Sequence, residues 1–235
     1  MNQQALGIKD VLDLREEGIE LASGPAKLFR LMMLDLNMSY IKLDRLIDEY
    51  LRDPVSGYSE SVDKHSYVKA NLKRAMATDT MGWSILKSAI YILKPLKVIY
   101  ELDLEWDPNI QHPTEVPSRI SLDGPGNGTE LCNLYRMVAS KIRLYPKTWS
   151  GLVSLWINDP RSGVKQDPVS KSTERGNLRQ QIIESNEFTW DLLMKALTIT
   201  GVMKCTFRIK LHHSNKSKSI TEHAVAVTLR EAVAL

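Results

Sequence analysis

The sequence predicts an α+β fold built as an internal tandem duplication, each copy several helices followed by a β-hairpin, with hairpins that can merge into one antiparallel sheet. Three observations lead there. The chain matches itself at an offset of about 106 residues, the hydrophobic period within each copy is first helical, and that period then changes to two. Leu28-Phe29-Arg30-Leu31-Met32 recurs as Leu134-Tyr135-Arg136-Met137-Val138, and Asp53-Pro54-Val55-Ser56-Gly57 as Asp159-Pro160-Arg161-Ser162-Gly163. Asn71-Leu72-Lys73 recurs as Asn177-Leu178-Arg179. After a one-residue insertion the register continues at 107, pairing Trp83 with Trp190, Leu86 with Leu193 and Ala89 with Ala196. A match that survives an indel over nearly the whole chain is not a coincidence of composition.

The predicted organisation is an N-terminal helix in residues 1–24, a first copy over 25–123, a glycine-rich linker over 124–130, and a second copy over 131–235 ending in a short tail. The helix over 7–22 lies outside the repeat and is acidic at Glu16, Glu17 and Glu20. Ser23-Gly24-Pro25 ends it and starts the next, with serine able to cap and proline suited to a first turn. In each copy a first helix carries Leu-Phe/Tyr-Arg. The second has Leu43, Leu46, Ile47, Tyr50 and Leu51, matched by Trp149, Leu152, Val153, Trp156 and Ile157, which is one buried stripe of an amphipathic helix. Asp-Pro-x-Ser-Gly stops that helix, because proline disfavours helix in the residue before it and glycine relaxes the turn. A polar loop leads to a helix around Asn71 or Asn177. The last helix begins after Asp79 or Asn186, both good caps, and carries Trp83 or Trp190.

Strict alternation then marks the strands. Val98, Tyr100, Leu102, Leu104 and Trp106 alternate with Ile99, Glu101, Asp103 and Glu105. Cys205, Phe207, Ile209 and Leu211 alternate with Lys204, Thr206, Arg208, Lys210 and His212. Each set reads as one buried and one wet strand face. Return strands are expected over 114–122 and 221–229, and Pro117 assigns the first of them to a sheet edge.

The copies differ in charge. Residues 25–123 carry 13 Lys and Arg against 14 Asp and Glu, a net of −1; residues 131–230 carry 16 against 7, a net of +9. Glu101, Asp103 and Glu105 align with Arg208, Lys210 and His212, so an acidic strand face in one copy is basic in its twin. Complementary faces like these can pair within a chain across a merged sheet, or between chains, making these six the candidate protein-interaction residues. The rival reading is a nucleic-acid surface on the second copy. Its candidates are Lys165, Lys171, Arg175 and Arg179 in and after the inter-helix loop, Lys204, Arg208 and Lys210 on the strand, and Lys216 and Lys218 at the hairpin tip.

No phosphate-binding loop, Gly-x-Ser-x-Gly elbow or His-Glu-x-x-His helix occurs. His212, His213 and His223 could approach one another, but without cysteine or carboxylate at ligand spacing no metal is expected. Cys132 and Cys205 occupy non-equivalent positions and form no disulfide framework. Hydrophobic residues at 43% and charged residues at 25% argue for folded modules. With neither a secretory signal nor an apolar run long enough for a membrane, a cytoplasmic setting or incorporation into a particle is the expectation. The plan has a general likeness to small phage or mobile-element proteins. The expected function is therefore non-catalytic and cofactor-free: an interaction protein within a larger complex or self-assembly, with nucleic-acid binding by the second copy as the alternative.

Overall fold

The computed structural model describes residues 24–58, 64–124, 129–213 and 220–229. The expected acidic helix over 7–22, most of the glycine-rich linker, Lys216, Lys218 and the end of the C-terminal tail lie outside the described residues. The protein is mixed α+β, with eight α-helices and a four-stranded antiparallel sheet among the described residues. Contacts divide the chain into two units, Met1–Leu96 with Leu211–His223, and Lys97–Lys210 with Ala224–Leu235. No helix among the described residues is long and apolar enough to cross a membrane.

In the first unit, α1 (Gly24–Asp35) packs on α4 (Trp83–Ile92), while α2 (Tyr40–Arg52), α3 (His65–Met76) and α4 pack on one another. Their apolar stripes supply the core: Leu28 and Met32 from α1, Ile47 and Leu51 from α2, Leu72 and Met76 from α3, Trp83 and Leu86 from α4. Ser39 caps α2, its Oγ accepting from the Lys42 amide at 3.2 Å. A 3₁₀ turn over Pro54–Ser56 follows α2.

The second unit contains α5 (Glu130–Lys141), α6 (Pro146–Asn158), α7 (Pro168–Leu178) and α8 (Trp190–Ile199). Another 3₁₀ turn spans Pro160–Ser162, and α7 runs into a π-helical segment over Arg179–Glu184. Strands β1 (Lys97–Trp106), β2 (Arg119–Gly124), β3 (Val202–His212) and β4 (Ile220–Thr228) lie in the order β2-β1-β3-β4. The apolar alternation holds. Tyr100, Leu102 and Leu104 of β1 are buried, as are Cys205, Phe207, Ile209 and Leu211 of β3. Within this unit α5 packs on β1 and β2, and the Trp190 ring of α8 meets Phe207 edge-on at 5.1 Å.

Two local readings need correction. The first return strand begins at Arg119, not at 114, pairing Asp103 with Arg119 and Tyr100 with Leu122. The preceding residues have other partners: Thr114 Oγ1 donates to the Lys141 carbonyl at 2.8 Å, and the Pro117 carbonyl accepts from Trp106 Nε1 at 2.7 Å. Strand β2 is nonetheless an edge strand. The caps of α4 and α8 are Gly82 and Thr189, because the Asp79 and Asn186 side chains receive arginines instead. Arg30 of α1, buried at 4%, donates to Asp79; Arg136 of α5 donates to Asn186 Oδ1 at 2.8 Å.

That last pair of contacts joins equivalent positions of the two halves, and the backbone behaves likewise. The described residues with φ in the left-handed region are Asn37, Gly57, Lys94, Arg143, Gly163 and Gly201. They form three pairs, Asn37 with Arg143, Gly57 with Gly163 and Lys94 with Gly201, at the offsets of 106, 106 and 107 seen in the sequence. At Gly57 (φ +72°) and Gly163 (φ +70°) the chain leaves a 3₁₀ turn in a conformation that glycine adopts without a Cβ penalty.

Candidate functional site

On the sheet face opposite the core, the acids of β1 and the bases of β3 meet inside one chain. Glu101 Oε2 lies 2.8 Å from Lys210 Nζ, Asp103 Oδ2 accepts from Arg208 Nε at 2.7 Å, and Glu105 Oε2 is 3.3 Å from Lys204 Nζ. Asp103 also pairs with Arg119 of β2, its partner in register. Aligned residues of the two copies are thus not the residues in contact. The antiparallel run opposes Glu101 to Lys210 and Asp103 to Arg208, and it places Lys204, not His212, beside Glu105. His212 contributes a backbone contact instead, its carbonyl accepting from the Leu96 amide at 2.7 Å.

The face is also less wet than strand alternation implies. Glu101 is buried at 8% exposure and its Lys210 partner is half-buried, whereas the side chains of Lys204 and Glu105 remain 57% and 55% exposed. The hydrogen bond from Arg119, joined by one from Arg208, holds the Asp103 carboxyl below the usual carboxylate range against the opposing effect of burial. The ladder joins neighbouring strands by charge, and removing one partner leaves a more costly unpaired charge at its enclosed end than at its solvent end.

The strand members of the nucleic-acid candidate set, Lys204, Arg208 and Lys210, therefore have carboxylate partners. The helical members are placed differently. Lys165 is exposed beside a shallow cavity of about 370 Å³ at the turn between α6 and α7, lined also by Gly163, Ser170, Thr173 and Glu174. Lys171 Nζ donates to Asn158 Oδ1 at 2.8 Å, and Arg175 Nη2 to Ser154 Oγ at 3.4 Å. Arg179 pairs with Glu184 at 3.1 Å on an exposed surface.

Against these stands the matching helix pair of the first unit. There Lys69 Nζ lies 2.7 Å from both Asp44 Oδ2 and Asp48 Oδ2, and Lys73 Nζ lies 2.8 Å from Asp44 Oδ1. Against burial, which would lower it, the Asp44 and Asp48 hydrogen bonds hold the Lys69 ammonium above its ordinary pKa. At an offset of 106, Asp44 and Asp48 become Ser150 and Ser154, while Lys69 and Lys73 become Arg175 and Arg179. The Arg175–Ser154 contact joins the same two positions as Lys69–Asp48. One helix pair has Lys69 and Lys73 neutralised by Asp44 and Asp48; the other has Arg175 and Arg179 at the matching cation positions and serines at the matching acid positions, with Arg179 paired instead to Glu184, while Lys171 and Asn158 stand where the first pair has His65 and Arg52. Neither Ser150, Ser154 nor Asn158 is distinguished by the sequence patterns above. The contacts with Arg175 and Lys171 identify Ser154 and Asn158, and a column-by-column comparison of the halves contains the exchange of Asp44 and Asp48 for Ser150 and Ser154.

The remaining residues singled out by the sequence are placed as follows. His223 is buried with Nε2 3.9 Å from Asp35 Oδ2, and His213 Nε2 lies 3.3 Å from Thr221 Oγ1, with burial pushing the His213 imidazole below its ordinary range. Among the described residues no group of three or more His, Cys, Asp and Glu side chains is placed to hold a metal. Burial pushes the Cys205 thiol up to about 12 and also raises Cys132. Trp83 and Trp190 are buried in equivalent cores, and Asn71 and Asn177 sit within α3 and at the end of α7 rather than near a helix start. No protein-family model, curated protein or solved structure matches this chain.

Proposed function

We propose that this chain is a non-catalytic binding protein made of two diverged copies of one α+β module, and that the second copy presents a cationic surface to an anionic partner within a larger assembly. One observation carries the reading. Both helix pairs carry cations at the matched positions Lys69/Arg175 and Lys73/Arg179, yet Asp44 and Asp48, which neutralise the first pair, are Ser150 and Ser154 in the second, where Arg179 alone has a carboxylate partner, Glu184. Paired left-handed residues, matched 3₁₀ turns and equivalent Arg30–Asp79 and Arg136–Asn186 contacts support the origin by duplication. A change of surface charge at the matched helix pair, with the turns and apolar stripes kept, is what a change of partner produces, because the core and turns are needed in both copies for folding.

The sheet ladder has a different role in this reading. Its acids and bases satisfy each other within the chain, so it fixes strand order and the partner surface lies elsewhere. Light scattering across a salt series, with pull-down by the tagged full-length chain, tests the proposal. Association with a partner or with itself that weakens as salt rises is expected. A strict monomer at low salt that recovers no partner and binds no polyanion would overturn it.

A further inference from the structure

We infer that the α6–α7 face of the second unit is a docking site for the phosphodiester backbone of a nucleic acid, a step that rests on the reading above that this copy binds an anionic partner. Two rows of side chains face each other there. Ser150, Ser154 and Asn158 recur every four residues along α6, and Lys171, Arg175 and Arg179 recur every four residues across α7 and the π-helical segment. Residues four apart share a helix face about 6 Å from one another. The cations therefore form a line with a regular spacing, which suits a ligand whose charge repeats along a chain; at its far end Arg179 is shared with Glu184 at 3.1 Å, so Lys171 and Arg175 carry most of the attraction.

The chemistry of the opposing row supports the same ligand. Ser154 and Asn158 accept from Arg175 and Lys171, orienting the cationic heads without cancelling their charge. Asn158 also carries amide donor hydrogens, whereas the Ser154 hydroxyl donates to the Ser150 carbonyl at 2.8 Å. Amide and hydroxyl donors beside Lys and Arg, here Asn158 and the exposed Ser150, are the side chains that bond phosphate oxygens, positioning a nucleic acid without reading its sequence. Lys165 extends the charge to the turn at Gly163. Glu174, the one carboxylate on α7, is paired at 2.6 Å with Lys195 and so opposes an incoming anion less. In the first unit the positions matching Arg175 and Arg179 are neutralised, with Lys69 and Lys73 held on Asp44 and Asp48, while His65 and Arg52 stand at the positions of Lys171 and Asn158. The chain thus contains its own control.

The test uses the full chain and fluorescence anisotropy with labelled single-stranded DNA, single-stranded RNA and duplex DNA, alongside polyglutamate of matched charge. At about 50 mM salt the wild type should bind at least one nucleic acid more tightly than polyglutamate. Lys171→Ala with Arg175→Ala should weaken that binding roughly tenfold and make the salt dependence shallower by about 1.5 in log–log slope. The decisive variant leaves every cation in place. Ser150→Asp with Ser154→Asp installs the first copy's acids, and it should weaken binding as much as removing the cations does. The melting transition of this variant should match the wild type, because the first unit already accommodates the same pairing. A nucleic-acid affinity unchanged by either variant would place the site elsewhere and overturn the inference. Equal or tighter binding of polyglutamate would make the ligand an acidic protein, overturning the nucleic acid while sparing the anionic-partner reading. Failure to bind any of the four probes would remove both.

Discussion

Replacing Glu101 by Gln isolates the most enclosed rung of the charge ladder. The carboxylate is buried and lies 2.8 Å from Lys210 Nζ, whose side chain is about one quarter exposed. Breaking a fully buried pair costs about 3–5 kcal/mol, since a charge is left without its partner. A fully exposed pair contributes about 0–1 kcal/mol. This rung lies between those limits, so Glu101→Gln should destabilise the fold by about 1–3 kcal/mol. That is more than alternation alone would assign to a wet strand position. The same change at Glu105, whose pair with Lys204 is mostly exposed, should cost under about 0.5 kcal/mol. A double-mutant cycle with Lys210→Met should show coupling of about 1–2 kcal/mol, and the swap Glu101→Lys with Lys210→Glu should recover most of the loss. Urea denaturation followed by circular dichroism, at two protein concentrations tenfold apart, measures this. Equal coupling at both rungs would refute the ranking by burial. A midpoint that moves with concentration would show that the ladder pairs between chains.

Two further outcomes follow from the described geometry. A Cβ at Gly201 (φ +95°) would stand 2.9 Å from Ile110, whereas one at Gly163 (φ +70°) meets nothing within 4 Å, so Gly201→Ala should lower the melting temperature clearly more than Gly163→Ala. Asp103 has a folded pKa below its unfolded value near 4, so its contribution is complete above that value and is lost as pH falls through the folded pKa. Acid titration of stability should therefore show a smaller loss below about pH 4 in Asp103→Asn than in the wild type.

How much of this was legible in the sequence depends on whether the signal is local. The apolar stripes were, because burial on a helix or strand follows a fixed period; Ile47, Leu51, Val153 and Ile157 are buried where the stripe puts them, as are Tyr100, Leu102, Phe207 and Ile209. Cap positions were not. Asp79 and Asn186 have the side chains of good caps, but their oxygens are taken by Arg30 and Arg136 from helices about 50 residues away in sequence. The start of β2 failed for a similar reason, since Thr114 and Pro117 bond to Lys141 and Trp106 instead of entering the ladder. The acidic and basic strand faces were legible as sets but not as pairs, because positions that align in the sequence comparison of the two halves need not be opposite one another in an antiparallel sheet.

Net charge per copy proved a poor guide to where charge is available. The second copy's excess of cations points first to β3, where Lys204, Arg208 and Lys210 crowd one strand face. Those are the cations with acidic neighbours on β1, and bringing a polyanion to them would require separating ion pairs that include the buried Glu101. Desolvation has already been met in folding there, so an incoming phosphate would have to replace a partner rather than fill a vacancy. On α7 the cost is different. Lys171 and Arg175 have neutral acceptors, and a phosphate can join those acceptors instead of displacing a carboxylate. The contrast lies in pairing and not in the sum of charges, since α2 and α3 are themselves rich in Lys and Arg. Of the strand and the helix pair, the helix pair therefore costs an incoming anion less although its sequence signal is weaker, and substituting two serines there tests the proposed binding more sharply than removing any cation of the strand.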